Sequence, residues 1–368
     1  MRRVRARGEE IRRFILENVE SNASNISKLA MSKFGTSRQA INAHLSRLVE
    51  EGALHEEGKT KARLYKLAPL VEWHQTYPIV GGPVEDVVWR NDIEPMIGKL
   101  PDNVRDMWSY GFTEMFNNAR DHSGGSDVSV WITKTAIATE MLIRDNGVGI
   151  FRKIKDSINL LDERHALFEL TKGKLTTDPK HHTGEGIFFT SRVFDKFNIL
   201  SGEVFFSHSF GSREDWLLSR GDSSKSGTTV FLYLNSHTSR TTKKVFDKYT
   251  GDESEDFGFN KTVVPVELAQ YGNDRLISRS QAKRVLARVE LFKTVILDFE
   301  NVPTIGPAFA DETFRVFVRE HPSVNLVHTN ANSEVKRMII RAQTNVEPGA
   351  SPGPSPAPPD DAKRSRLR

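Results

Sequence analysis

Glu114, Asn118 and Asp121 carry the clearest chemistry in this chain, within Glu114-Met115-Phe116-Asn117-Asn118-Ala119-Arg120-Asp121-His122-Ser123. At 3.6 residues per turn the three fall on one face of a helix. A carboxylate, an amide and a second carboxylate so arranged suit a metal-phosphate site. One oxygen can hold a magnesium ion and another can orient a water or hydroxyl. The register of Glu114 with its two neighbours favours a general base over a merely solvated carboxylate. Downstream, the apolar run Met141-Leu142-Ile143 predicts a buried strand that delivers Asp145 into the turn Asn146-Gly147-Val148-Gly149, where backbone can approach a ligand closely. Thr183-Gly184-Glu185-Gly186-Ile187 predicts a second glycine turn opening a helix over 188–197, whose first amides can receive phosphate.

In this order, these stretches resemble the ATP-binding domain of the GHKL superfamily, and within it the bacterial anti-sigma-factor serine kinases. Glu114-x-x-x-Asn118-x-x-Asp121-His122 is similar to the N box, and Asp145-x-Gly147-x-Gly149 to the first glycine box. Gly184-x-Gly186 is similar to the second, and Ser226-Gly227-Thr228-Thr229-Val230-Phe231 to the closing Gly-Thr strand. The resemblance implies ATP and Mg²⁺ as cofactors. It implies that Asn118 ligates magnesium, that Asp145 accepts from the adenine amino group, and that Gly149 leaves room for the base. It places Asp121 and His122 near the nucleotide, although a histidine ending a helix is as often a structural partner. Thr228 or Thr229 either touches the base or is a plain β-branched strand residue. The lysine-rich region 151–182, with Lys172, Lys174 and Lys180, corresponds to a mobile lid that orders on phosphate. His181-His182, without an acid at ligand spacing, reads as lid surface.

The elements that must position these groups are a sheet and its covering helices. Strands are predicted at 128–132, 141–145, 197–202, 215–220 and 228–234, forming a mixed sheet in an α/β sandwich over 101–240. The stretch 71–100, punctuated by Pro78, Gly81-Gly82-Pro83, Pro95 and Gly98, reads as a linker with one short strand at 84–90.

Residues 1–70 hold 14 Lys+Arg against 8 Asp+Glu, whereas the whole chain of 368 residues is only +4. The basic charge is therefore concentrated in front. Apolar spacing predicts helices at 9–19, from 26 behind Asn25 or Ser24, and at 38–51 behind Ser37. Ile41, Leu45, Leu48 and Val49 face inward on the third, leaving Arg38, Gln39, Asn42 and Ser46 opposite, a set suited to bases and phosphates. A hairpin follows, with Lys59 and Lys61 at its tip. Three helices and a basic hairpin resemble the winged helix-turn-helix of bacterial regulators, which implies DNA as a partner. Arg2, Arg3, Arg5 and Arg7 ahead of it read as a solvated tail or a minor-groove arm.

After an acidic insert at 250–260 comes a third unit, 262–343, with a helix at 279–291, a strand at 294–299, a helix at 305–320 and a strand at 324–328. Leu297-Asp298-Phe299-x-x-Val302-x-x-Ile305-Gly306-Pro307 resembles STAS and STAS-like domains, implying a protein partner. Gly306-Pro307-Ala308 stands where phosphorylated STAS proteins carry a serine, so phosphorylation is not expected there. Residues 344–368 are a Pro- and Ser-rich tail with a basic tip, unable to form a core. Absence of cysteine argues for a reducing, cytoplasmic setting, and no apolar run reaches membrane-spanning length. The expected protein is thus a multidomain α/β (α+β) chain. It binds ATP and DNA, couples a GHKL switch to a winged helix and a STAS-like module, and leaves homodimerisation open. The alternative is an anti-sigma-type serine/threonine kinase acting on a separate partner.

Overall fold

The computed structural model describes residues 2–58, 63–175, 184–211, 216–219, 226–250, 259–270 and 275–344. Lys59, Lys61, Lys180, His181, His182, Thr183, most of the acidic insert and the tail therefore lie outside the described residues. The chain divides into two compact units, Met1–Val264 and Pro265–Arg368, in a multidomain α+β arrangement.

The first unit opens with α1 (Arg2–Asn18), α2 (Ile26–Phe34) and α3 (Arg38–Glu50), then the antiparallel hairpin β1 (Leu54–Glu57) and β2 (Leu64–Leu67). Ile11, Ile15, Ile26, Ala30, Ile41, Leu45 and Leu48 make its core, as helical spacing requires. Ser37 caps α3 by accepting from the Ala40 amide at 3.3 Å. Asn25 precedes α2 but its side chain makes no capping bond. The arginine-rich segment is not a free arm: α1 already includes Arg2.

Residues 71–100 depart from expectation. Val71–Pro78 is a full edge strand, β3. The segment expected as a strand at 84–90 is helical instead: α4 (Glu85–Val88), a wide turn Trp89–Ile93, and α5 (Glu94–Ile97). Val88, Ile93 and Ile97 are buried, so this apolar run serves a helix packed on the core.

Helix α6 (Asp102–Asn117) buries Val104, Met107, Trp108, Gly111, Phe112, Met115 and Phe116, an unbroken i, i+3, i+4 stripe. β4 (Asp127–Lys134) and β5 (Ala138–Asp145) follow, then α7 (Ile150–Ser157), α8 (Glu163–Lys172) and α9 (Gly186–Val193). β6 (Lys196–Ser201), β7 (Val204–Ser209), β8 (Trp216–Ser219), β9 (Thr228–Asn235) and α10 (Thr242–Phe246) complete the layer. Strand order is β3-β4-β5-β9-β6-β7-β8. Every pairing is antiparallel, not mixed. β7, unanticipated, pairs back on β6 across Gly202-Glu203. The helix after the second glycine turn ends at Val193, since Phe194 is already extended.

The expected lid is substantially helical where described. α8 is buried, and its Lys172 is not held for phosphate. The ammonium lies 2.6 Å from Glu169 Oε1 and over the Phe168 ring.

β10 (Lys261–Pro265) runs across the division between the two units. The second contains α11 (Arg279–Leu286), β11 (Thr294–Asp298), α12 (Pro307–Asp311), α13 (Phe317–Glu320), β12 (Asn325–Thr329) and α14 (Ser333–Thr344). β11 and β12 pair in parallel, in a three-stranded sheet of order β10-β11-β12. α11 stops short of 291 because Ala287 turns out of helical geometry at ψ 129°, ahead of a left-handed Arg288 at φ 64°. α12 opens at Pro307 behind Gly306, which offers no hydroxyl cap, and continues through the wide turn Glu312–Val316 into α13. α14, whose Val335, Ile339 and Ala342 are buried, was not expected from the sequence.

Candidate functional site

A cavity of about 510 Å³ lies between α6, the sheet and α9. Asp145 ends β5 at its floor. Oδ1 accepts from the Gly147 amide at 2.8 Å and the Thr228 amide at 3.2 Å. Burial pushes the Asp145 carboxyl above the usual range, and those backbone donors pull it partly back. Thr228 Oγ1 accepts from the Ile150 amide at 2.9 Å, tying β9 to the start of α7. Gly149 stands between them at φ 91°, and a Cβ there would come 2.7 Å from Ser201 Oγ. Only glycine fits without strain.

Glu114 and Asn118 line the wall from the last turn of α6, as helical spacing anticipated. Asp121 does not join them. Asn118–His122 forms a wide i→i+5 turn, which carries more residues per revolution, so position 121 lags behind the face and 122 takes its place. His122 lines the cavity, whereas Asp121 is exposed beside Arg120. Gly184 and Gly186 line the cavity opposite. A Cβ on Gly186 would fall 1.9 Å from Glu114 Oε2, so the first residue of α9 needs to be bare for that carboxylate to lie against it. Gly147 lines a neighbouring groove instead, and Thr229 points away from Thr228 on the other sheet face.

Other lining residues were not anticipated. Tyr110 precedes Glu114 by one helical turn, and burial, then the Glu114 and Glu185 carboxylates, push its phenol strongly up. Glu185, between the two glycines, is raised by burial and drawn back by Lys174. Lys153 donates to the His122 carbonyl at 2.6 Å. Periodicity could have found Tyr110 and adjacency Glu185. Nothing local marks Phe189, Phe246, Thr250 and Phe259, which close the far end. Among the described residues no cluster of three or more His, Asp or Glu could hold a metal alone. Asn118 brings a side-chain oxygen, a donor of the hard type that magnesium takes, to the cavity wall.

On α3, Arg38, Gln39, Asn42 and Ser46 are all exposed. His44 is held below its usual range by burial and by Arg12 and Arg47. In the hairpin, Arg63 and Lys66 are paired with Glu56 and Glu57 at 2.9 Å.

A profile for a STAS-like domain of unknown function (DUF4325) matches residues 281–336, so the second unit carries a STAS-like domain. No curated protein matches the chain. Among the described residues no helix is long and apolar enough to cross a membrane.

Proposed function

We propose that this chain is an ATP-binding, DNA-binding regulator acting in the cytoplasm. A nucleotide switch of GHKL type is joined to a winged helix and a STAS-like protein-contact module. The observation that carries it is the convergence of Asp145, Asn118, Glu114 and the Gly184–Gly186 turn on one cavity of about 510 Å³. A volume of that order accommodates a small ligand.

In this proposal Asp145 fixes the adenine amino group while its Oδ1 stays committed to the Gly147 and Thr228 amides. Asn118 offers its side-chain oxygen to magnesium, which supplies charge neutralisation to the phosphates when bound. The Gly184–Gly186 backbone and the first amides of α9 face the phosphates, and Glu114 is placed to take a proton from a nucleophile. Arg38, Gln39, Asn42 and Ser46 read DNA, with Lys59 and Lys61 as further candidate contacts.

Coupling between the two activities has a physical route. β5 carries Asp145 at one end. At its other end, Ala136 packs against the N-terminal helical core and the Leu70 amide donates to the Lys134 carbonyl at 2.7 Å. Titration calorimetry of the full chain with ATP and magnesium tests the assignment. Heat of binding that disappears in Asp145→Asn is expected; no heat in the wild type, or an unaffected variant, sinks it.

A further inference from the structure

The cavity does not stop at Glu114. It continues along α6 to Tyr110 and is closed there by Phe189, Phe246, Thr250 and Phe259. Phe189 meets Phe246 at 4.4 Å and Phe259 at 4.9 Å between ring centroids. Tyr110 meets Phe246 at 5.3 Å. These rings form an annex beyond the acid.

Four lining side chains carry hydroxyls: Tyr110, Ser123, Thr228 and Thr250. Ser123 Oγ accepts from the Gly125 amide, and Thr228 Oγ1 from the Ile150 amide at the base end. The Tyr110 phenol is held strongly against ionisation by burial and by the Glu114 and Glu185 carboxylates. Thr250 differs. Its backbone is anchored, the amide donating to the Phe246 carbonyl at 3.1 Å and the residue bridging to Phe259. Its hydroxyl makes only a 3.4 Å contact with the Asp247 carbonyl, close to the limit for a hydrogen bond and cheaply redirected.

We propose that Thr250 accepts the terminal phosphoryl group of ATP bound in this cavity, within a single molecule; the inference rests on the nucleotide-binding function proposed above. The Thr250 Oγ1–phosphorus bond forms as the bond from that phosphorus to its bridging oxygen breaks. ADP departs with the electron pair, and the hydroxyl proton passes to Glu114. The product places a dianion among phenylalanines and near two carboxylates, a disfavoured setting. Phosphorylation therefore also breaks the Thr250–Phe259 bridge.

The test is full-length protein incubated with γ-labelled ATP and magnesium, with modified residues located by tandem mass spectrometry. Label is expected on Thr250, at a rate constant independent of protein concentration. Thr250→Ser retains it, Thr250→Val loses it, and Glu114→Gln slows it by about 10²-fold or more. Calorimetric ATP binding with Thr250 unmodified, label on Ser254 of the same proteolytic peptide, or a rate that rises with protein concentration overturns the proposal alone. Absence of any ATP binding overturns the nucleotide assignment along with it.

Discussion

Asp145 is subject to opposed demands, and they make its substitution informative. Burial raises its pKa, while the Gly147 and Thr228 amides favour the charged form. A raised acid stabilises the folded state at low pH, and that contribution is lost as pH rises through the folded pKa. Asp145→Asn, which cannot ionise, is therefore expected to gain stability relative to wild type as pH rises through the carboxyl's folded pKa. That advantage should vanish in acid, as denaturant melts over a pH series would register. Nucleotide affinity should move the other way in the wild type, weakening as acid protonates the carboxylate. Gly149→Ala puts a Cβ in a left-handed backbone and against Ser201 Oγ, a cost of about 1–3 kcal/mol readable as a lowered urea midpoint. Gly186→Ala sets a Cβ against the Glu114 carboxylate. It should fold, bind nucleotide and lose phosphoryl chemistry, and equal loss of binding and chemistry would count against the placement of Glu114.

At the scale of elements, α3 separates stability from recognition. Leu45 is fully buried, so Leu45→Ala should cost about 2–5 kcal/mol in a melt. Arg38→Ala and Asn42→Ala sit on the exposed face and should leave the melt within about 0.5 kcal/mol. If Arg38 neutralises a phosphate, its removal lowers the slope of log affinity against log salt by about 1, measurable by fluorescence anisotropy. Element identity followed periodicity closely in α3 and β9, whereas α1 starts at Arg2, well before the expected Glu9. It failed where the exposed half of an element hid the pattern. β3 buries only Tyr77, because an edge strand needs little apolar alternation, and its Pro78 looked like linker punctuation. Val87-Val88-Trp89 has strand-like composition, yet Val88, Ile93 and Ile97 point into the core from helical turns.

Across the whole molecule, ligand linkage gives a directional expectation. On the proposed function, ATP with magnesium is expected to stabilise the unit Met1–Val264, by about 2.7 kcal/mol at a ligand concentration 100 times Kd. Amide exchange should slow first in α6 and α9. If the β5 connection to the N-terminal helices transmits the change, DNA affinity shifts as well. Unchanged exchange at saturating nucleotide would contradict the site itself; unchanged DNA affinity would contradict only the coupling. Much of this organisation was present in the order of residues: helical register brought Glu114 and Asn118 together, and glycines marked where backbone must come close. Such signals are local, since they depend on a few bonds of chain and one repeating geometry. The exclusion of Asp121 by a wide turn and the arrival of Phe246, Thr250 and Phe259 at the cavity were decided by tertiary structure. Each depends on which distant surfaces pack together, and no spacing along the chain encodes that.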